Sequence, residues 1–348
     1  MRILVITDLY PINENEKYTP KTIQAFVKCW EDLGHEVRII KPNFLLNSYL
    51  RKKTYYKDGI YEQVENINYI TPFLGDIKKK IKTLFAPDLI IAHMPSGLIF
   101  ANKLGVNFCA GVHASDLEVL TNPIYRFYFK TELEKAYKNA KCIACRSYVL
   151  KEKFLNLYPQ YENKTFVAPS GIEEEKIIKK EWQEKEKIKV LTCGQFIKRK
   201  NIDKVIKACD KFENIELTII GSGKQKLEKL SDKPQFLGQV PREEVLEKMR
   251  ESDIFILPSK NETFGMVYLE AMASGCITVC SKNDGIDGII QDGINGFLCE
   301  NIEETLARII DFEDKNLILE NSYITIKNYT DLIVANHYLK NIEVYHEN

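Results

Sequence analysis

Ser252-Asp-Ile-Phe-Ile-Leu-Pro-Ser-Lys-Asn-Glu-Thr-Phe-Gly-Met-Val-Tyr-Leu-Glu-Ala-Met-Ala-Ser-Gly275 decides the architecture of this chain. Ile254–Leu257 is a short continuous apolar run ended by Pro258, which reads as a strand buried on both faces. A polar loop carrying Glu262 follows. The spacing then predicts a helix over Gly265–Ser274, stopped at Gly275, with Glu270 in its second turn. Cys276–Cys280 is apolar again and reads as the next strand. Strand, loop, helix, strand is the repeating unit of a parallel sheet covered by helices.

The same unit recurs on either side. Upstream, Lys189–Cys193 reads as a strand, Ile202–Phe212 as a helix, and Glu216–Ile220 as a strand running into Gly221-Ser-Gly223. Further back, Pro169-Ser-Gly171 is a turn signal, and the charged stretch Glu173–Lys189 suits a linker. Before it, Arg2–Thr7, Glu36–Ile40, Leu89–Ala92, Phe108–Val112, Ile143–Cys145 and Thr165–Ala168 read as strands. Helices are expected over Thr22–Leu33 and at about 97–104, 123–139 and 147–156. The 348 residues suit two domains rather than one. The expected division is 1–170 and 187–322, with 323–348 carrying a last helix, about Asp331–Tyr345, that packs back on the first domain. The fold class is α/β. In such sheets ligands bind beyond the carboxyl ends of the strands, so the chemistry belongs in the strand-to-helix loops and in the cleft between halves.

Composition narrows the function classes. Hydrophobic content is 45% and charged content 28%, ordinary for a folded globular chain and unlike a disordered one. Net charge is zero, yet residues 1–170 hold 24 Lys/Arg against 17 Asp/Glu, and the remainder 25 against 32. A basic first half, with aromatics and cations crowded at 49–57 and 77–85, suits an anionic membrane surface or phosphorylated substrate rather than nucleic acid, or else is only a solvated surface. Nine scattered cysteines argue against a disulfide framework. Cys142-Ile-Ala-Cys145 lacks the second pair a zinc ribbon needs and reads as core. No leader precedes the first strand and no apolar run approaches 18 residues, which predicts a cytoplasmic protein, peripheral on the inner face of a membrane if it meets one. Gly221-Ser-Gly223 has Lys226 where a dinucleotide fingerprint requires its third glycine, so it is a poor NAD signal and a better tight turn.

From residue chemistry alone, the predicted helix start offers free backbone N–H groups at Gly265, Met266 and Val267 to anionic oxygen. Glu262 and Glu270 can accept from sugar hydroxyls, or they can simply cap the helix and make a surface ion pair. His113 follows a strand in Ala110-Gly-Val-His-Ala-Ser-Asp116, where a histidine is either a core residue or a ligand contact. Lys200 lies in the strand-end loop Gly194-Gln-Phe-Ile-Lys-Arg-Lys-Asn201.

The 252–275 segment resembles the signature of the retaining glycosyltransferases of family 4. These have two Glu separated by seven residues, here Glu262 and Glu270, with Phe264-Gly265 after the first and Ala271-Met-Ala-Ser-Gly275 after the second. The likeness continues at Gly194–Asn201, Ile220-Gly-Ser-Gly223, Phe236-Leu-Gly238 and Gly285-Ile-Asp-Gly-Ile-Ile-Gln-Asp-Gly-Ile-Asn-Gly-Phe-Leu298. It implies the GT-B fold, two Rossmann-like parallel-sheet domains facing across a cleft, the C-terminal one holding a nucleotide-sugar and the N-terminal one mainly the acceptor. Carried onto this chain, Glu270 binds the donor ribose and Glu262 faces hydroxyls of the transferred sugar. Lys200 grips the diphosphate beside Gly194 and Gln195, with Gly221 close to the nucleotide. Phe264, Gly265, Met266 and Val267 line the helix start, and His113 contacts the sugar near the reacting carbon. Gln195 replaces the Arg usual in the family, leaving Lys198 or Arg199 to supply the second cation. The loop Leu9–Pro20 has no glycine where the family has a Gly-rich donor-facing loop.

The resemblance further implies transfer of a hexosyl group with retention, without a dedicated nucleophile, metal or other cofactor. A UDP-sugar is favoured over a GDP-sugar as donor. The acceptor is a glycan or lipid-linked molecule of bacterial surface polysaccharide synthesis. The alternatives are a GT-B sugar-nucleotide epimerase, for which no extra acid/base pair is found, and a non-catalytic sugar-nucleotide-binding protein.

Overall fold

The computed structural model describes residues 1–11, 21–43, 55–57, 62–68 and 86–346. They form two compact units, one of residues 1–146, 150–168 and 331–348, the other of 147–149 and 169–330.

Unit 1 is built on an eight-stranded sheet of β1 (Arg2–Ile6), β2 (Glu36–Asn43), β3 (Tyr55–Lys57), β4 (Glu62–Asn68), β5 (Leu89–His93), β6 (Cys109–Val112), β7 (Cys142–Cys145) and β8 (Thr165–Val167). Their order is β3-β4-β2-β1-β5-β6-β7-β8, and only the β3–β4 pair is antiparallel. Ile3–Ile6 and all of β5, β6 and β7 are buried, as a parallel sheet with both faces covered requires. The covering helices are α1 (Thr22–Asp32), α2 (Met94–Leu104), α3 (Ala114–Thr121), α4 (Pro123–Asn139) and α5 (Tyr148–Leu157). α2 begins at Met94 and so takes in Pro95, whose fixed φ and missing N–H suit a first turn. Cys142 and Cys145 are buried free thiols in β7.

Unit 2 carries a six-stranded, wholly parallel sheet of β9 (Ile188–Cys193), β10 (Ile215–Ile220), β11 (Gln235–Gly238), β12 (Ile254–Leu257), β13 (Ile277–Ser281) and β14 (Phe297–Cys299). Their order is β11-β10-β9-β12-β13-β14. Its helices are α6 (Ile202–Cys209), α7 (Arg242–Glu251), α8 (Met266–Ala273), α9 (Ile302–Ile310) and α10 (Lys315–Lys327). Each unit is thus a doubly wound Rossmann-like sheet. The strand order reverses between β1 and β5 in unit 1 and between β9 and β12 in unit 2. Loops diverge at such a switch point and leave a crevice at the carboxyl ends.

Two sequence expectations change. Glu173–Lys189 is no free linker. Ile178 N–H donates to Ala273 O at 2.8 Å, Trp182 N–H to Asn316 Oδ1 at 2.8 Å, and the Lys180 ammonium to Arg250 O and Ser252 O. Its charge density hid apolar anchors, Ile177 and Trp182, which pack on the unit 2 core. Residues 323–327 likewise continue α10 instead of standing apart, with Ile326 fully buried.

α11 (Asp331–His346) belongs to unit 1. Trp30 of α1 is fully buried and donates through Nε1 to Ala335 O at 3.0 Å. Phe26 stacks on Trp30 at 5.6 Å, and Tyr338 meets both rings edge-on at 5.5 and 5.8 Å. Truncating the largest of these rings removes both packing and the one indole hydrogen bond. Trp30→Ala is expected to destabilise unit 1 by about 3–5 kcal/mol. Urea unfolding with hydrogen exchange measures this, with α11 amides losing protection first. Unchanged protection in α11 would contradict the anchoring role.

Candidate active site

Three loops of unit 2 converge at its switch point, after β9, β12 and β13. Asn201 takes a left-handed conformation and its buried amide donates to Pro258 O at 2.7 Å. Lys260 N–H donates to Arg199 O at 2.8 Å. These bonds staple the β9 loop to the β12 loop. The third loop contributes Asp284, 9% exposed, whose carboxylate accepts from the N–H groups of Asn261, Glu262 (2.8 Å) and its own neighbour Gly285 (2.7 Å).

Glu262 sits at the centre. Its Oε1 accepts from the Lys200 ammonium, from Arg199 Nη1 at 2.6 Å and from Ser259 Oγ at 2.7 Å. Burial alone would raise its pKa, but the charges and hydrogen bonds of Lys200, with Ser259 and Arg199, outweigh burial and hold it below the ordinary value. Glu262 does not cap the helix. Gly265 is the N-cap, at φ 88°, and a Cβ there would lie 2.4 Å from the Tyr268 ring. Tyr268 donates from its hydroxyl to Leu257 O at 2.7 Å and so ties α8 beneath β12. By helix geometry the N–H groups of Gly265, Met266 and Val267 lack intrahelical acceptors.

Glu270 is 9% exposed and pairs with Arg242 Nη2 at 2.5 Å. It is an ion pair, buried on the Glu270 side and open on the Arg242 side, made with a residue that sequence reading passed over. Lys200 and Glu270 both act on Cys193 at the end of β9. Burial pushes that thiol up to about 12, with Glu270 raising it further and Lys200 lowering it. Lys200 and Glu262 therefore do come together, and Glu270 lies near enough to the same strand end to act on Cys193. Gly194 lies against the Lys200 stem, and Gln195 is exposed. A Cβ on Gly221 would lie 1.9 Å from Gly194 O, so close packing of two strand ends explains that glycine. Phe264 is buried in the core of the unit.

In unit 1, His113 ends β6 as the N-cap of α3 and is 8% exposed. Its N–H donates to Asp116 Oδ2 at 2.8 Å, and Tyr137 OH donates to Asp116 Oδ1 at 3.0 Å. Burial, helped by the Arg146 charge, pushes the imidazole down to about 3, so it is neutral at physiological pH. Burial also pushes Asp116 up to about 7 against the pull of these hydrogen bonds. Of the loop Leu9–Pro20, residues 12–20 lie outside the described residues, as do 49–54 and 77–85 of the basic aromatic stretches. Among the described residues, no group of three or more His, Cys, Asp or Glu is arranged to hold a metal ion, and no helix is long and apolar enough to cross a membrane.

Two switch-point sheets, the second with cations and carboxylates at its strand ends, define a Rossmann-like ligand-binding class. Comparison makes it specific. Residues 20–176 match the model of Glycosyltransferase Family 4, and residues 173–329 that of Glycosyl transferases group 1. The chain belongs to this glycosyltransferase family. An uncharacterized glycosyltransferase of Methanocaldococcus jannaschii is 28% identical over 287 residues, 74% of this chain and 78% of the relative. A Bacillus subtilis glycosyltransferase, TuaC, assigned provisionally to teichuronic acid biosynthesis, is 26% identical over 333 residues, 83% of each chain. Among solved structures, Anabaena HepE in complex with UDP aligns at TM-score 0.74 and 16% identity, covering 99% of this chain and 100% of the other. That last likeness is one of fold.

The unit 1 pKa shifts give a pH prediction. Folded Asp116 keeps its proton to about pH 7. An unfolded aspartate loses it near pH 4, so this group's stabilisation falls as pH climbs from about 4 to 7. His113 works in the opposite sense. The unfolded chain takes up a proton that the folded one refuses, so its contribution rises with pH from about 3 to 6.5. Asp116→Asn removes only the falling part. Its urea midpoint should climb more steeply between pH 5 and 6.5 than that of the unchanged protein, and equal slopes would refute the assignment.

Proposed function

We propose that the chain transfers a hexosyl group with retention from a nucleotide-sugar, UDP-linked in preference to GDP-linked, to a glycan or lipid-linked acceptor in bacterial surface polysaccharide synthesis. The observation that carries the reading is the Lys200–Glu262–Arg199 cluster beside Glu270 at the β9–β12 switch point. Cations held at strand ends next to a helix start suit a diphosphate. Carboxylates on either side suit hydroxyls, those of the sugar at Glu262 and of the ribose at Glu270. The UDP and UDP-glucose complexes of HepE lend support for the donor. The name of the Bacillus subtilis relative lends support for the setting.

Retention requires the nucleoside diphosphate to leave and the acceptor to enter on the same face. In this reading the leaving phosphate takes the acceptor proton. Lys200, Arg199 and the amides of Gly265, Met266 and Val267 stabilise the charge growing on the β-phosphate. His113, neutral, bonds to the transferred sugar. The basic first half rests on an anionic membrane, and the side chains of Ile124 and Phe127 in α4, 68% and 82% exposed, suit the same surface.

Glu270→Ala should weaken UDP binding, whereas Glu262→Ala should chiefly reduce transfer. Each lost charge-assisted hydrogen bond is worth about 1.5–3 kcal/mol, tenfold or more. Calorimetry with UDP decides the first, and unchanged affinity would remove Glu270 from the donor site. Turnover should survive excess EDTA. Loss restored by Mg²⁺ would mean that a metal completes the phosphate site. Conversion of the nucleotide-sugar without acceptor would instead mark an epimerase.

A further inference from the structure

His93 has no part in the reading above. It ends β5, is fully buried, and turns toward β6, where its Nδ1 lies 3.1 Å from His113 Nε2. The two rings meet edge to face with centroids 5.3 Å apart, and Tyr338 of α11 lies edge-on to His93 at 6.1 Å. The sequence leaves room for this ring. Gly111, the register partner of His93 on β6, would place a Cβ 2.1 Å from His93 Nδ1.

A buried polar ring is costly unless its nitrogens are paired. His93 Nε2 has no hydrogen-bond partner among the described residues. An apolar ring of similar size would fill the space at less cost, so packing does not account for the imidazole. Burial and the Arg146 charge lower the pKa of both histidines and keep both rings neutral. One proton then lies between Nδ1 and Nε2, and the tautomer of either ring determines that of the other.

We propose that His93 is a positioning residue, which through Nδ1 holds His113 in one orientation and one tautomer, so that the His113 ring always presents the same hydrogen-bonding character to substrate. The inference rests on the reading that His113 acts on the transferred sugar. It differs from that reading in what it asks of the protein. His113 touches the reactant, and His93 acts only through His113.

The test uses the full chain with ¹⁵N-labelled histidine, His113 being assigned with His113→Gln. His93→Phe keeps the ring volume and deletes the nitrogens, and His93→Asn returns a polar atom near the Nδ1 position. One His113 tautomer is expected in the unchanged protein and in His93→Asn, and a mixture in His93→Phe. A single unaltered tautomer in His93→Phe overturns the inference. Should that variant fail to fold, His93→Leu provides the same comparison.

UDP release from UDP-glucose supplies the functional arm. His93→Phe should lower kcat by about 10²-fold, the scale of a small misplacement of a reacting group. KM should stay within about twofold, and His93→Asn should recover most of the loss. If His113→Ala abolishes release while His93→Phe leaves kcat unchanged, the inference is wrong. If His113→Ala costs nothing, the reading of His113 fails and the spectra alone decide whether His93 holds its neighbour.

Discussion

One carboxylate oxygen of Glu262 accepts from Lys200, Arg199 and Ser259, while the backbone beneath it is gripped by Asp284. Three loops from three strands are joined through this arrangement, and the 3-10 turn Lys198–Lys200 in the β9 loop is too short to order them alone. Taking a carboxylate out of water is expensive, and only close pairing with further hydrogen bonds offsets the cost. The doubly wound sheet makes the pairing achievable, because β9 and β12 are neighbours in space though more than sixty residues separate Lys200 from Glu262. An anion arriving at this crevice meets cations that already have a partner. What it gains is the difference between two ion pairs and not the full attraction of a bare charge. It is in return spared the entropy of orienting a loose lysine and arginine.

Unit 1 solves a different electrostatic problem at the matching place. Its strand ends carry histidines that burial keeps neutral and an aspartic acid that burial keeps protonated over much of the acidic range. Where unit 2 stores compensated charge, unit 1 stores uncharged hydrogen-bonding groups with fixed geometry. A neutral ring offers direction without attracting counter-ions, which suits contact with hydroxyls better than contact with phosphates.

Much of this was legible from periodicity. The apolar runs ending at Ile6, Val112, Cys145, Cys193 and Leu257 place the strands, and the residues just beyond them contain His113, Lys200 and Glu262. Their partners were not legible. Asp284 is 22 residues from the backbone N–H of Glu262 that it binds, in a glycine-rich stretch that signals only turns. Arg242 opens a helix of sequence REEVLEKMRE, whose charge on every side reads as a solvated face and conceals one contact with Glu270. His93 follows Leu89–Ala92 and reads as the end of an apolar run. The one hint was the Gly-Val-His of β6, since a glycine directly beside a strand-end ring is a sign of crowding across the sheet. The stretch 173–189 misled for the opposite reason. Its charges suggest solvent, while its backbone and two apolar residues bind it to the core.

The chain leaves unit 1 at Ala168 and returns only at Asp331. Every strand of the first sheet has therefore been synthesised before any of α11 exists. At about 5–20 residues per second, translation of the intervening segment occupies on the order of 10–30 s. During that interval Phe26, Trp30 and the strand-end cluster around His93 lack the Tyr338 side of their cover. On the ribosome the nascent protein thus carries an uncovered aromatic patch that only α11 can close, and a chain lacking α11 would keep that patch as a binding site for chaperones or for other copies of itself.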